Sequence, residues 1–232
     1  FGGNFYEIIV GGAAFNQEVE QFLKRIDFPY TVGYGATECA PIICYADYQE
    51  FVPGSCGKPV VHMEVKIDSP DPENVPGEIL ARGLNVMLGY FKNEEATAQT
   101  LDEDGWYHTG DLGLMDADGN VFIKGRSKNM LLGASGQNIY PEEIEDKLNS
   151  LAMVNECVVV QRGEKLVGLV HPDYDEAATM RLNDADLENI MEQNRQELNA
   201  SQPPYCRLAA IEIVREEFEK TPKKSIKRYL YK

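Results

Sequence analysis

Apolar residues recur at two different spacings along this 232-residue chain, and the switches between those spacings outline its elements. Residues 5–10 form a short apolar run that reads as a strand and breaks at Gly11-Gly12-Ala13-Ala14, residues small enough for a flat ligand to approach the backbone. Val19, Phe22, Leu23 and Ile26 then fall three or four positions apart, on one face of a helix that Asn16 can cap and Pro29 ends. A second strand begins at residues 30–32 and stops at Gly33-Tyr34-Gly35-Ala36-Thr37-Glu38. Strand, helix, strand, with a polar loop at each strand's carboxyl end, is the arrangement in which open α/β sheets bind ligands.

From Phe51 onward the pattern shortens. Apolar runs at 60–67, 79–81 and 85–88 are separated by Pro and Gly clusters, which predicts a small β-rich subdomain. Beyond Lys128 the spacing predicts a helix over 141–151 with Ile144, Leu148 and Leu151 on one face, and strands at 154–160 and 166–170. A further helix is expected over 184–198 with Leu187, Ile190, Met191 and Leu198 inward, then a strand at 208–214. Such alternation gives a sheet covered by helices.

Composition narrows the class. At 43% hydrophobic the chain is globular, and it is long enough for one large domain or two small ones. A formal charge of -16 argues against a nucleic-acid partner, because a phosphate backbone must be met by clustered Lys and Arg. Cys39, Cys44, Cys56, Cys157 and Cys206 lack the paired spacing of a zinc site or a redox dithiol, so we read them as free thiols in a reducing cytoplasm. His62, His108 and His171 are too scattered to form a metal cluster. No apolar run approaches the roughly 20 residues of a membrane span. The chain starts at Phe1, without Met or a signal peptide's regions, and we expect it to be a fragment of something longer.

The densest chemistry lies in 109–145, where polar residues interrupt a strand-rich run. Asp111 sits in a Thr-Gly-Asp turn that projects its carboxylate from a fixed position, which suits a pair of ribose hydroxyls. Asp118-Gly119 reads as a hairpin turn, followed by Val121, Phe122 and Ile123, then Arg126 at the strand's end. Ser127-Lys128-Asn129 has the composition of a hinge, Gly133-Ala134-Ser135-Gly136-Gln137 that of a small flexible loop, and Pro141 with its acidic followers that of a helix start. Asp102-Glu103-Asp104-Gly105 and Asp116-Ala117-Asp118 lack the alternating ligands of a calcium loop and read as turns.

In order and spacing these pieces resemble the adenylate-forming enzymes, the superfamily of acyl-CoA synthetases, peptide-synthetase adenylation domains and luciferases, and within it a long-chain fatty acid CoA ligase. The resemblance implies the end of a large N-terminal domain over 1–127, made of a βαβ piece at 1–50 and the β-rich subdomain at 51–127. A small mobile α+β domain would follow over 128–232. It implies ATP and AMP, Mg2+ and coenzyme A as cofactors and co-substrates. Gly12, Ala13, Ala14, Tyr34, Gly35 and Ala36 would hold the adenine side, Thr37 the α-phosphate, and Glu38 the magnesium ion. Asp111, Ile123 and Arg126 would hold the ribose side, Lys128 would be the hinge, and Ser135, Gly136 and Gln137 would lie by the pantetheine tunnel. Partners would be a carboxylate such as a fatty acid, ATP, CoA and the missing N-terminal part of the same protein, with peripheral membrane association and no nucleic acid.

One position departs from the pattern. The basic tail Lys220-Thr221-Pro222-Lys223-Lys224-Ser225-Ile226-Lys227-Arg228 places Ser225 where the family's lysine for adenylation is expected. A serine cannot offset two approaching anions, so either Lys224 or Lys227 substitutes for it or the adenylating half-reaction is weakened, and Lys224 takes the role in our reading. The family's phosphate loop, a Ser/Thr/Gly-rich segment ending in Lys-Gly, does not occur, so this piece alone is expected to be inactive. A peptide-synthetase-type adenylation domain and a non-catalytic nucleotide-binding module are the rivals. The double glycine lacks the GxGxxG spacing of a dinucleotide fold, and Ser135 does not lie in GxSxG.

Overall fold

The computed structural model describes residues 3–12, 15–222 and 224–231. They fall into two compact units, Phe1–Lys128 and Asn129–Lys232, divided one residue later than the sequence suggests. Helices and sheets mix as the α/β and α+β reading expects.

The first unit opens with a βαβ piece. Strand β1 (Ile8–Val10) pairs in parallel with β2 (Tyr30–Val32), and α1 (Gln17–Arg25) connects them. Asn16 caps α1, its side-chain oxygen accepting from the Glu18 and Val19 amides at 3.0 Å. The apolar face of α1 is present as a stripe but is not buried: Val19, Phe22 and Ile26 stay about half exposed. The buried residue of the helix is Glu20, whose carboxylate accepts from the Gly54 amide at 3.1 Å.

Three short antiparallel strands follow: β3 (Tyr34–Gly35), β4 (Ile42–Tyr45) and β5 (Lys58–Pro59). Next comes a four-stranded antiparallel meander of β6 (Met63–Asp68), β7 (Gly77–Gly83), β8 (Tyr107–Met115) and β9 (Val121–Arg126), with α2 (Glu94–Thr100) between β7 and β8. One apolar cluster, including Tyr34, Ile43, Ile67, Ile79, Tyr107 and Val121, joins these two sheets. Residues 85–88 depart from expectation, being turn and bend rather than strand. The reason is Asn85, whose Nδ2 donates to the carbonyls of Cys39 at 2.6 Å and Ile42 at 3.1 Å, so this segment braces a loop instead of joining a ladder.

The second unit begins with a small hairpin, β10 (Leu131–Leu132) and β11 (Asn138–Ile139), then α3 (Pro141–Asn149). Strands β12 (Val154–Arg162) and β13 (Lys165–Pro172) pair antiparallel, α4 (Tyr174–Met180) and α5 (Asp184–Ala200) follow, and β14 (Leu208–Ile213) returns parallel to β13. Because strand side chains alternate, Cys157 and Val159 face a core with Ile144, Leu148, Leu187, Met191 and Leu198, while Val158, Val160, Val167 and Leu169 face the other way. Among the described residues, helices α3 and α5 cover the first of these faces, as the expectation of a helix-covered sheet has it. The second is covered by the tail, through Phe218, Ile226 and Tyr231.

Candidate functional site

In the first unit the structure gathers one group of the expected residues at the carboxyl edge of β1 and β2. Their parallel register sets Val10 beside Val32, and the Gly33 amide donates to Val10 O at 2.8 Å, so the glycine loop leaving β1 and the Tyr34 segment leaving β2 start side by side. Gly12 has φ +91 and open space around it. Ala13 and Ala14 lie outside the described residues. Gly35 is required by close approach, since a Cβ there would sit 2.2 Å from Pro41 O. Thr37 and Glu38 lie in a single 3-10 turn, Thr37 exposed and Glu38 half-buried.

Tyr34 links this edge to the meander. Its ring is only 8% exposed, and its hydroxyl donates to Asp111 Oδ2 at 2.6 Å. Burial first, then the Asp111 charge, holds the phenol well above its usual range, so it remains a donor at any working pH. The other oxygen of Asp111 meets Arg126 Nη1 at 3.0 Å. Arg126 Nη1 also donates to Thr109 O at 2.8 Å, while the Asp111 amide donates to Thr109 Oγ1 at 3.0 Å and that hydroxyl to Ile79 O at 2.7 Å. A carboxylate offers about four acceptor positions, a number that suits protein donors and ligand hydroxyls together.

Register decides which neighbours share this face. Asp111 pairs with Arg126 and Gly113 with Ile123, so β9 carries one residue more than β8 over that interval, a bulge. Asp111 and Gly113 are two apart and share a face; their partners Arg126 and Ile123 therefore share it too, although three apart. Simple alternation would have separated them.

Two partners escape a reading by spacing. Glu78, on β7, accepts from the Gly110 amide at 2.9 Å through one oxygen and lies 3.0 Å from His108 Nδ1 through the other; Thr109-Gly110-Asp111, expected to be a turn, is part of strand β8, because Gly110 at φ +69 bends the strand locally while its neighbours stay paired in the ladder. Tyr90 donates its hydroxyl to Glu38 Oε1 at 2.8 Å. Burial and the Glu38 charge also raise the Tyr107 phenol. Because a phenol orients Glu38 without neutralising it, its carboxylate fits a hard divalent cation that takes its remaining ligands from phosphate oxygens.

The second unit holds the rest. Gly133–Gln137 is the loop of the β10–β11 hairpin, closed by the Gly133 amide to Gln137 O at 2.8 Å and the Gly136 amide to Gly133 O at 2.9 Å, with Gly136 at φ +84. Ser135, Gly136 and Gln137 are exposed, and the loop borders an open cavity of about 960 Å³ that Lys165, Arg195 and Arg207 also line. Lys224 is exposed at the tip of a tail hairpin, at φ +61, with its amide donating to Thr221 O at 2.8 Å. Ser225 returns the chain, its carbonyl accepting from Thr221 N at 2.8 Å. Lys128 is exposed in the 3-10 turn Ser127–Asn129, at the division between units.

A glycine loop at a parallel sheet edge, a Thr-Glu turn and a carboxylate held by a tyrosine and an arginine are the arrangement the adenylate-forming class leads one to expect. The AMP-binding enzyme family matches residues 3–91 and the AMP-binding enzyme C-terminal domain matches residues 128–231; the chain belongs to this family. It is 40% identical to 4-coumarate–CoA ligase 5 of Oryza sativa subsp. japonica over 166 residues, 66% of this chain and 30% of that protein. It is 39% identical to the long-chain-fatty-acid–CoA ligase of Escherichia coli O157:H7 over 156 residues, 65% of this chain and 28% of that protein. Among solved structures, the anthranilate CoA ligase AuaEII in complex with anthranoyl-AMP superposes with a TM-score of 0.78 at 26% identity, over 97% of this chain and 43% of that one. The chain spans about a third of the length of the curated relatives it matches. Their names cover aryl and fatty acids alike, a range wider than the long-chain acids expected from the sequence.

Proposed function

We propose that the intact protein is an ATP-dependent acid–thiol ligase that joins a carboxylic acid to AMP, releases pyrophosphate and passes the acyl group to the thiol of coenzyme A. The observation that carries this reading is the Asp111 carboxylate held between Arg126 and Tyr34, the tyrosine lying on the strand that leads into Thr37 and Glu38. In it, Asp111 accepts from the ribose hydroxyls, with Ile123 and Arg126 beside it. Gly12, Ala13, Ala14, Gly35 and Ala36 flank the base, and Thr37 donates to the α-phosphate. Glu38 would hold magnesium, which when bound offsets phosphate charge. Lys224 supplies the mobile positive charge for adenylation, Lys128 the pivot, and Ser135, Gly136 and Gln137 the surface for the thiol step.

Long-chain fatty acids are the substrate class we favour, supported by the similarity to the fatty-acid ligase. We place the protein in the cytoplasm, with transient contact with a membrane where its substrate resides. The five free cysteines support a reducing compartment. The test is pyrophosphate exchange by the intact protein with carboxylates of graded length and with 4-coumarate. Exchange that rises with chain length and is lost in Asp111→Ala is expected; exchange only with aromatic acids would move the substrate class. Ser225 favours a second reading, a nucleotide-binding module that never adenylates. AMP binding without exchange under any acid would select it.

A further inference from the structure

The tail that presents Lys224 is fastened at two charged points inside the second unit, Lys220 to Glu156 on the outgoing side of its hairpin and Arg228 to Glu145 on the returning side. Arg228, four residues after Lys224, donates through Nη2 to Glu145 Oε2 and through Nη1 to Val159 O at 3.5 Å. Glu145 is a buried residue of α3, and its other oxygen accepts from the Val159 amide at 2.5 Å. Besides the Lys220–Glu156 pair, the tail carries an internal pair, Lys227 Nζ donating to Glu219 Oε2 at 3.1 Å, and an aromatic contact. Tyr231 packs edge-on against Phe218 at 4.9 Å between ring centroids, and its hydroxyl accepts from the Glu219 amide at 2.7 Å. The Lys227 amide donates to Glu219 O at 2.8 Å, which closes the hairpin with Lys224 at its tip.

A buried ion pair is a poor way to gain stability, because desolvating both charges consumes most of the attraction, and an apolar pair of similar volume often does better. What it does supply is a fixed position: a guanidinium that satisfies both a carboxylate and a carbonyl has one register. A tip projecting from a hairpin moves with its base, so a small slip at Arg228 becomes a displacement at Lys224. The glycine loop is placed differently, by the β10–β11 ladder and the apolar anchoring of Ile139, and does not depend on Arg228.

We propose that Arg228 and Glu145 are positioning residues for the adenylating half-reaction alone, fixing where Lys224 is presented while leaving thioester formation untouched. This rests on the ligase reading above. The test uses the intact protein with Arg228→Met, Arg228→Lys and Glu145→Gln, each assayed for carboxylate-dependent pyrophosphate exchange and, separately, for CoA acylation from preformed acyl-adenylate. Arg228→Met should lower kcat for exchange about a hundredfold, the size expected when a catalytic group is misplaced by an ångström, with little change in the KM for ATP. Acylation should stay within about twofold, and Arg228→Lys should restore part of the exchange, as a retained charge but lost fork implies. Amide hydrogen exchange at 220–227 should quicken in Arg228→Met while that of 131–139 holds. Equal loss of both half-reactions, or unchanged exchange with unchanged tail protection, overturns the anchor. Absence of exchange from the unaltered protein removes the ligase reading itself.

Discussion

Tyr34 and Asp111 are 77 positions apart in the chain, yet the Tyr34 hydroxyl donates to Asp111 Oδ2 at 2.6 Å from a ring packed in the core joining two sheets. The bond ties the segment before Thr37 to strand β8 after Thr109, so the two halves of the proposed nucleotide grip share one rigid support. Its loss should affect ligand orientation more than folding.

Tyr34→Phe keeps the buried ring and removes one donor to a charged acceptor, which should raise the KM for ATP about tenfold. Because the phenol stays protonated, the effect should be the same across the working pH range. A change in unfolding free energy larger than the change in binding would show that the hydroxyl serves the core instead.

Two glycines should answer differently to alanine. At Gly35 the new Cβ would lie 2.2 Å from Pro41 O, which backbone cannot yield cheaply, so Gly35→Ala should cost at least the upper end of the roughly 1–3 kcal/mol seen for overpacking. At Gly110 the nearest atom is 3.5 Å away and only the φ of +69 is unfavourable, so Gly110→Ala should cost about 1 kcal/mol. Denaturant titration of both variants checks the order, and equal costs would contradict it.

Lys224 occupies a left-handed conformation that glycine adopts freely. Lys224→Gly should therefore stabilise the protein by about 1 kcal/mol while lowering adenylation by roughly two to three decades, as the lost charge demands. Lys224→Ala should lose the same activity with no gain in stability. Pyrophosphate exchange that survives both variants would transfer the role to Lys227.

Lys128→Pro removes an amide, restricts φ at 128 and pushes Ser127 away from the helical region it holds in its 3-10 turn. Blockage of one half-reaction with the other spared is the expected result for a pivot. Parallel loss of both would count against one.

Burial pushes the Glu145 carboxyl from an ordinary 4.5 up to about 7, against the pull of Arg228 and the Val159 amide. The folded state thus holds this proton more tightly than the unfolded chain does. Its contribution to stability is complete below about 4.5 and is lost as pH rises through about 7. Thermal midpoints of the unaltered protein should accordingly decline between those limits relative to Glu145→Gln, which has nothing there to titrate. Parallel curves for the two proteins would refute the assignment. A charged pair that costs stability at neutral pH agrees with a role in position.

Much of the architecture could be read along the chain because its signals are local. Asn16 caps its helix, Leu187, Met191 and Leu198 face inward at their helical spacing, and Gly119 at φ +85 turns β8 into β9. The misreadings share a cause: an apolar pattern records what a segment prefers, and a competing contact can overrule it. Asn85 turned an apolar run into a brace, and the tail took a sheet face for which the spacing named no cover. Glu78 and Tyr90 lie in segments that resemble chiefly structural family segments, and their spacing gave no sign of a place beside the site because their partners are 32 and 52 positions away.

By itself, the amino-acid order determined the periodicities, the turns, the division near Lys128 and the family's motifs, all of which depend on neighbours a few residues apart. Only the tertiary structure decided that a bulge turns Ile123 and Arg126 to one face, that Tyr34 reaches Asp111, and that Arg228 closes on Glu145 from 83 positions away. The physical reason is that strand register and buried pairing are settled by the packing of distant segments, and no local rule of spacing encodes which acceptor a buried donor will find.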